Sequence, residues 1–139
     1  MDVNFAFLCD YADNSAKLTA VGVGFDTLYA PKVPTRHGLF YAVISIRFSI
    51  TEFGSHKVGL HLIDVDGNPQ IPPLEATISV TQPPTGYLYR NQLIALALYG
   101  VGFARYGDYS VRWTVDGREV TSLPLKVVEP PKSPLSSSA

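Results

Sequence analysis

Cysteine is all but missing from this chain. Cys9 is the only one in 139 residues, which excludes an intrachain disulfide and any zinc site built from several cysteines, and fits a reducing compartment. Charge of one sign is also lacking, because 11 basic and 12 acidic residues leave a formal net charge of -1 with neither sign gathered in one place. Without a basic field, a nucleic-acid partner is not expected. No apolar run approaches the roughly 20 residues that cross a bilayer. The opening segment Met1–Asp10 carries an acid at Asp2 where a secretory leader has positive charge. The expectation is a soluble, cytoplasmic protein with no membrane insertion.

Catalytic motifs are missing in the same way. There is no Gly-x-Ser-x-Gly elbow and no glycine-rich phosphate loop leading into a helix. Cys9 stands in an apolar stretch, where a buried, inert thiol is commoner than a nucleophile. His37, His56 and His61 share no metal-ligand spacing and read as surface histidines. These absences predict a protein that is not an enzyme and holds no cofactor or metal.

What the chain does have is apolar and aromatic material: 46% hydrophobic and 12% aromatic residues, enough for one domain's core without covalent staples. Its organising stretch is Gly107–Gly117. Tyr109, Val111, Trp113 and Val115 alternate with Ser110, Arg112, Thr114 and Asp116, so one face of an extended strand is aromatic and β-branched and the other polar. Asp116-Gly117 is the pair best suited to a type I′ hairpin turn, and the chain returns through Val120, Leu123, Leu125 and Val127. The strand with the only tryptophan belongs in the middle of a core.

The same period of two recurs along the chain. Phe40, Ala42, Ile44, Ile46, Phe48 and Ile50 mark a long central strand with Tyr41, Val43, Ser45 and Arg47 outward. Val58, Leu60 and Leu62 mark another, and Leu74, Ala76, Ile78 and Val80 a third. At the start, Met1, Val3, Phe5, Phe7 and Cys9 share a face, and Lys17–Val23 is placed opposite them in a hairpin. Pro31–Gly38, with Pro31, Pro34 and Gly38, reads as a loop crossing between sheets. Gln92–Phe103 has helix formers, yet its neighbours are all strands, and Gly100 and Gly102 suit a bulge, so strand is preferred. Together these predict an all-β, immunoglobulin-like antiparallel β-sandwich of about eight or nine strands, since turn signals fall roughly every 8–12 residues. Residues 1–129 form the domain in this reading, and 130–139 a disordered Pro/Ser-rich tail.

Two blocks taken together, Phe5-Ala6-Phe7-Leu8-Cys9-Asp10-Tyr11 followed by Gly24-Phe25-Asp26, and Gly107-Asp108-Tyr109 with Trp113 and Val115-Asp116-Gly117, resemble a prokaryotic family of small single-domain proteins known only as a domain of unknown function. The resemblance runs over roughly residues 1 to 128 and implies no mechanism. The distal block is also similar to the strand of immunoglobulin-like sandwiches in which a tyrosine braces a corner by bonding backbone, a role that would fall to Tyr109. The lone cysteine excludes the inter-sheet disulfide of antibody domains.

The most interface-like composition is Tyr87, Tyr89 and Arg90 after Pro83-Pro84, because aromatics and arginine dominate binding hot spots while prolines hold a loop in shape. The blander alternative is that one of the two tyrosines packs inward. The leading expectation is a non-catalytic protein-interaction or structural module that docks a protein partner or itself. The alternative is a small-ligand or calcium-binding sandwich whose end loops gather Asp10, Asp26, Asp64 and Asp66, since Asp64-x-Asp66-Gly67-Asn68 has the oxygens and the turn that open calcium loops.

Overall fold

The computed structural model describes residues 1–131, so most of the expected 130–139 tail lies outside the described residues. Ten strands are present among them: β1 (Asp2–Cys9), β2 (Tyr11–Asp13), β3 (Thr19–Val21), β4 (Thr27–Tyr29), β5 (Thr35–Ser49), β6 (Gly54–Asp64), β7 (Leu74–Val80), β8 (Tyr89–Phe103), β9 (Gly107–Val115) and β10 (Arg118–Val128). The count exceeds the eight or nine expected because the opening region holds three strands of three residues each, β2, β3 and β4, besides β1. A three-stranded sheet in the order β1-β5-β8 packs against a five-stranded sheet in the order β4-β10-β9-β6-β7, and β2-β3 form a separate small hairpin. None of the described residues forms a helix, so none crosses a membrane as one.

The organising strand behaves as its alternation requires. β9 is the middle strand of the larger sheet, and Val111, Trp113 and Val115 are buried with Tyr109. Asp116 and Gly117 both take positive φ, 52° and 83°, and Arg118 pairs directly with Val115, which is the I′ geometry that the right-handed twist of a hairpin favours. Beyond the turn, a bulge at Val120 inserts one residue into β10, which is why Val120 and the odd-numbered Leu123, Leu125 and Val127 can all serve the same core. Tyr109 donates its hydroxyl to the Arg105 carbonyl at 2.7 Å and sets its ring edge-on to Phe103, bracing the corner between β8 and β9.

The remaining corrections concern pairing and coverage. β1 pairs antiparallel with β5 rather than with Lys17–Val23, and a bulge at Asn4 breaks the face expected for Met1, Val3, Phe5, Phe7 and Cys9. Val3, Ala6 and Leu8 serve the main core, while Phe7 and Cys9 turn to a second cluster on the outer side. The hairpin partner of Thr19–Val21 is Tyr11–Asp13, which folds over β5 and buries Val43, a residue expected outside. Gly22, at φ 68°, lets the chain leave β3 against the Asp10 side chain, where any Cβ would collide. Thr35–Gly38 are strand rather than loop, and the chain between Tyr29 and Thr35 does pass from one sheet to the other. Gln92–Phe103 is strand within β8, and Gly100 holds a kink at φ 56° with no slip of register against β5.

Candidate functional site: an aromatic end surface

At the start of β8 the chain leaves an aromatic ridge in solvent. The loop before it is fixed from within: Pro83 is buried, the Tyr87 amide donates to the Pro84 carbonyl at 3.0 Å, and Gly86 supplies the positive φ of 93° that closes the turn. The Ile50 amide then bonds the Leu88 carbonyl at 3.1 Å, tying this loop to the end of β5. Tyr87, Leu88 and Tyr89 are 67%, 64% and 51% exposed, so neither tyrosine packs inward. Arg47 lies over the Tyr89 ring at 5.2 Å, which holds the ring in place, and Arg90 next to it is exposed.

Across from this ridge stand two apolar residues that sequence reasoning missed. Ile50, expected inside the sandwich, is exposed one position beyond the end of β5, and Phe53 is exposed in the Thr51–Phe53 turn. A surface cleft of about 610 Å³ runs between them and the Gln82–Tyr87 loop. The exposed Leu88 follows Tyr87 directly, and its carbonyl accepts the Ile50 amide. The signal that could have found Ile50 and Phe53 is their place on either side of a turn, where the period of two no longer dictates a face.

The turn carrying Phe53 is held by a small polar network. Glu52 accepts the Met1 amino group at 2.8 Å and the Ser49 amide at 2.9 Å, which in that order hold its carboxyl down at about 2. His56, expected at the surface, is largely buried and sits 4.9 Å from the Phe48 ring. One ring nitrogen faces Asp116 at 2.6 Å and the other the Glu52 carbonyl at 2.7 Å. Both neighbours are acceptors, so only the imidazolium can donate to both. The Asp116 bond raises the His56 pKa above its ordinary value, and the Lys57 amide and His56 lower that of Asp116.

The other expected sites resolve into structure. Asp64 accepts the Asp66 and Asn68 amides at 2.9 and 2.8 Å, and those amides hold its carboxyl low; Arg105 adds a weak contact at 3.5 Å. Asp26 accepts the Thr27 hydroxyl in a different part of the chain. Among the described residues no three His, Cys, Asp or Glu side chains gather as a metal group would require. Asp64→Ala should therefore cost about 1–3 kcal/mol through orphaned turn amides, while millimolar calcium leaves the melting temperature of the unaltered protein unchanged. A calcium-dependent rise in a thermal melt would reverse that assignment. Burial pushes the Cys9 thiol up, with the Asp10 charge acting the same way, as suits a packed and unreactive group.

The model of a family described only as one of unknown function matches residues 4–128. No curated protein matches the chain.

Proposed function

Because the chain belongs to that family, DUF6941, whose function is not known, we propose a function from its own geometry: a non-catalytic protein-interaction module of the cytoplasm, built on an immunoglobulin-like sandwich and binding through its aromatic end surface. The immunoglobulin-like reading is supported by strand order. β1, β5 and β8 lie in the order of strands A, B and E, and β10, β9, β6 and β7 in the order G, F, C and C′. The Tyr109–Arg105 bond at the head of the F-like strand is the corner brace that such sandwiches use.

The observation that carries the binding role is the exposure of Tyr87, Leu88 and Tyr89 on a loop tied down by the Tyr87–Pro84 and Ile50–Leu88 backbone bonds. A preformed aromatic ridge loses little conformational freedom when it is covered, so its apolar area is available as binding free energy. The Arg47 and Arg90 guanidiniums beside it favour a partner that presents carboxylates or carbonyl oxygens around an apolar centre. Affinity capture from the native host tests this with the wild type against a Tyr87→Ala/Tyr89→Ala double variant. Loss of hot-spot aromatics costs about 2 kcal/mol or more each, roughly 30-fold in affinity. The specific partner should vanish from the double variant while its melting temperature is unchanged; equal capture by both forms would remove the end surface from consideration.

A further inference from the structure

The sandwich leaves one long strand edge open. β8 is the outermost strand of its sheet over fifteen residues, and among the described residues no strand pairs with its outer side. Among the described residues, two of its carbonyls receive side-chain donors: Leu93 from Asn14 at 3.4 Å and Gly100 from Arg36 at 2.6 Å. In the immunoglobulin scheme the place beside an E strand belongs to strand D, but here the chain between β7 and β8 is the proline-bearing loop described above.

Natural sheets protect such edges with charge, proline, bulges or brevity. The other edges of this molecule do so. β7 has seven residues and Glu75, β4 has three, β10, open only ahead of its Lys126–Val128 pairing with β4, carries Pro124 and the bulge at Val120, and β1 carries Asp2 and the bulge at Asn4. β8 carries one charge, Arg90 at its start; from Asn91 to Phe103 there is no charged residue, no proline and no slip of register. Beside it, between the edges of the two sheets, lies an apolar recess of about 330 Å³ lined by Ile71, Leu74, Leu98, Tyr99 and Val101.

We propose that the open edge of β8 pairs with the β8 edge of a second copy of this chain, antiparallel about a two-fold axis, to give a continuous sheet in the order β1-β5-β8-β8-β5-β1. Self-pairing is favoured by the charge pattern. An isologous contact sets each residue against a symmetry-related one, and with the axis at Leu96 the exposed Tyr99 faces Leu93, Ala95 faces Ala97, and Arg90 faces Gly102, so no like charges meet. Ile94 of one copy would face Leu98 of the other on the core side, where the apolar recess receives it. This contact is centred on Leu96 and touches the aromatic end surface only at its rim, through Tyr89 and Arg90 at the start of β8.

Sedimentation equilibrium across micromolar to millimolar concentration, with hydrogen exchange on the same samples, tests the pairing. The wild type should approach twice 15.2 kDa, with β8 amides gaining protection as concentration rises. Ala97→Lys, and separately Tyr99→Lys at a position 72% exposed, place a lysine on the shared edge and should raise the dimer dissociation constant at least about tenfold while the melting temperature holds. A wild type that stays monomeric throughout would overturn the proposal. So would a dimer that survives both lysine variants, or one lost only in Tyr87→Ala/Tyr89→Ala, which would assign self-association to the end surface. Protection of β8 that is independent of concentration and disappears on deleting residues 130–139 would name the chain's own tail as the occupant instead.

Discussion

Trp113→Ala should destabilise the protein by about 3–5 kcal/mol, the cost of removing a large, fully enclosed side chain and leaving a cavity. Trp113 has no exposed surface and is the largest of the fully buried side chains. It stands in the central strand, across from Leu60 of β6 and Thr121 of β10, so neither sheet neighbour can collapse into the space without disturbing a ladder. Set against the roughly 5–15 kcal/mol that holds a domain folded, this loss brings the protein close to unfolding at ordinary temperature. Trp113→Phe should cost much less. The indole Nε1 is buried with no hydrogen-bond partner, so phenylalanine removes an unpaired polar group along with some volume. Arg112 points from the same strand to the opposite, solvent-facing side and pairs with Glu119 at 3.3 Å, both half exposed. Arg112→Ala should fall within about 0.5 kcal/mol of the wild type. Urea denaturation with unchanged slope measures all three. A Trp113→Phe variant as damaged as Trp113→Ala would mean that the indole N–H has a partner, and a stable Trp113→Ala would mean that the strand does not face the core.

The second large effect belongs to His56 and depends on pH. His56→Ala should cost about 2 kcal/mol below neutrality, because a largely buried imidazolium loses its bonds to Asp116 and to the Glu52 carbonyl together with its packing on Phe48. The folded pKa of His56 is raised above its ordinary 6.5, so its contribution is complete below 6.5 and fades as pH rises through the folded value. That of Asp116 is lowered below 3.8, so its contribution is complete above 3.8 and is lost as pH falls through the folded value. The pair therefore stabilises most between 3.8 and 6.5. Wild-type stability should fall on going from that window to alkaline pH, and the fall should be largely absent in His56→Ala. Asp116→Asn keeps the positive φ that the I′ turn needs, since asparagine accepts it readily, but removes the ionic partner; its pH response should flatten likewise. Denaturation midpoints that fall equally with pH in the wild type and in His56→Ala would show that another group is responsible. Because the same histidine holds the Glu52 carbonyl, its loss should also loosen the turn that presents Phe53 to the candidate binding cleft.

How these two residues stood in the sequence differs. Trp113 lies in an unbroken alternation that ends in Asp116-Gly117, and both signals are local: the period of two sets the face, and the turn pair sets the return. His56 gave no such signal, because its partners Asp116 and Glu52 meet it only through the β6–β9 ladder and the turn before β6. The candidate site divides in the same way. Tyr87, Tyr89 and Arg90 were visible as composition, whereas Ile50 and Phe53 joined them only when the ends of β5 and β8 were brought side by side.

By itself, the sequence determined the all-β character, the strand character of residues 92–103, the hairpin at Asp116-Gly117 and the inward face of β5 from Phe40 to Phe48, all of which follow from side-chain spacing along a single segment. Tertiary structure alone decided strand order, because the backbone N–H and C=O groups that choose neighbours are the same at every residue and leave no mark in hydrophobic period. Thus β1 went to β5 instead of its near neighbour in sequence, the outer face around Val43 was covered by a hairpin, and the bulges at Asn4 and Val120 reset which residues face in. The open edge of β8 is of the same kind: its uncharged run is written in the sequence, but that this run lies at the rim of a sheet rather than in its middle depends on which strands arrive beside it.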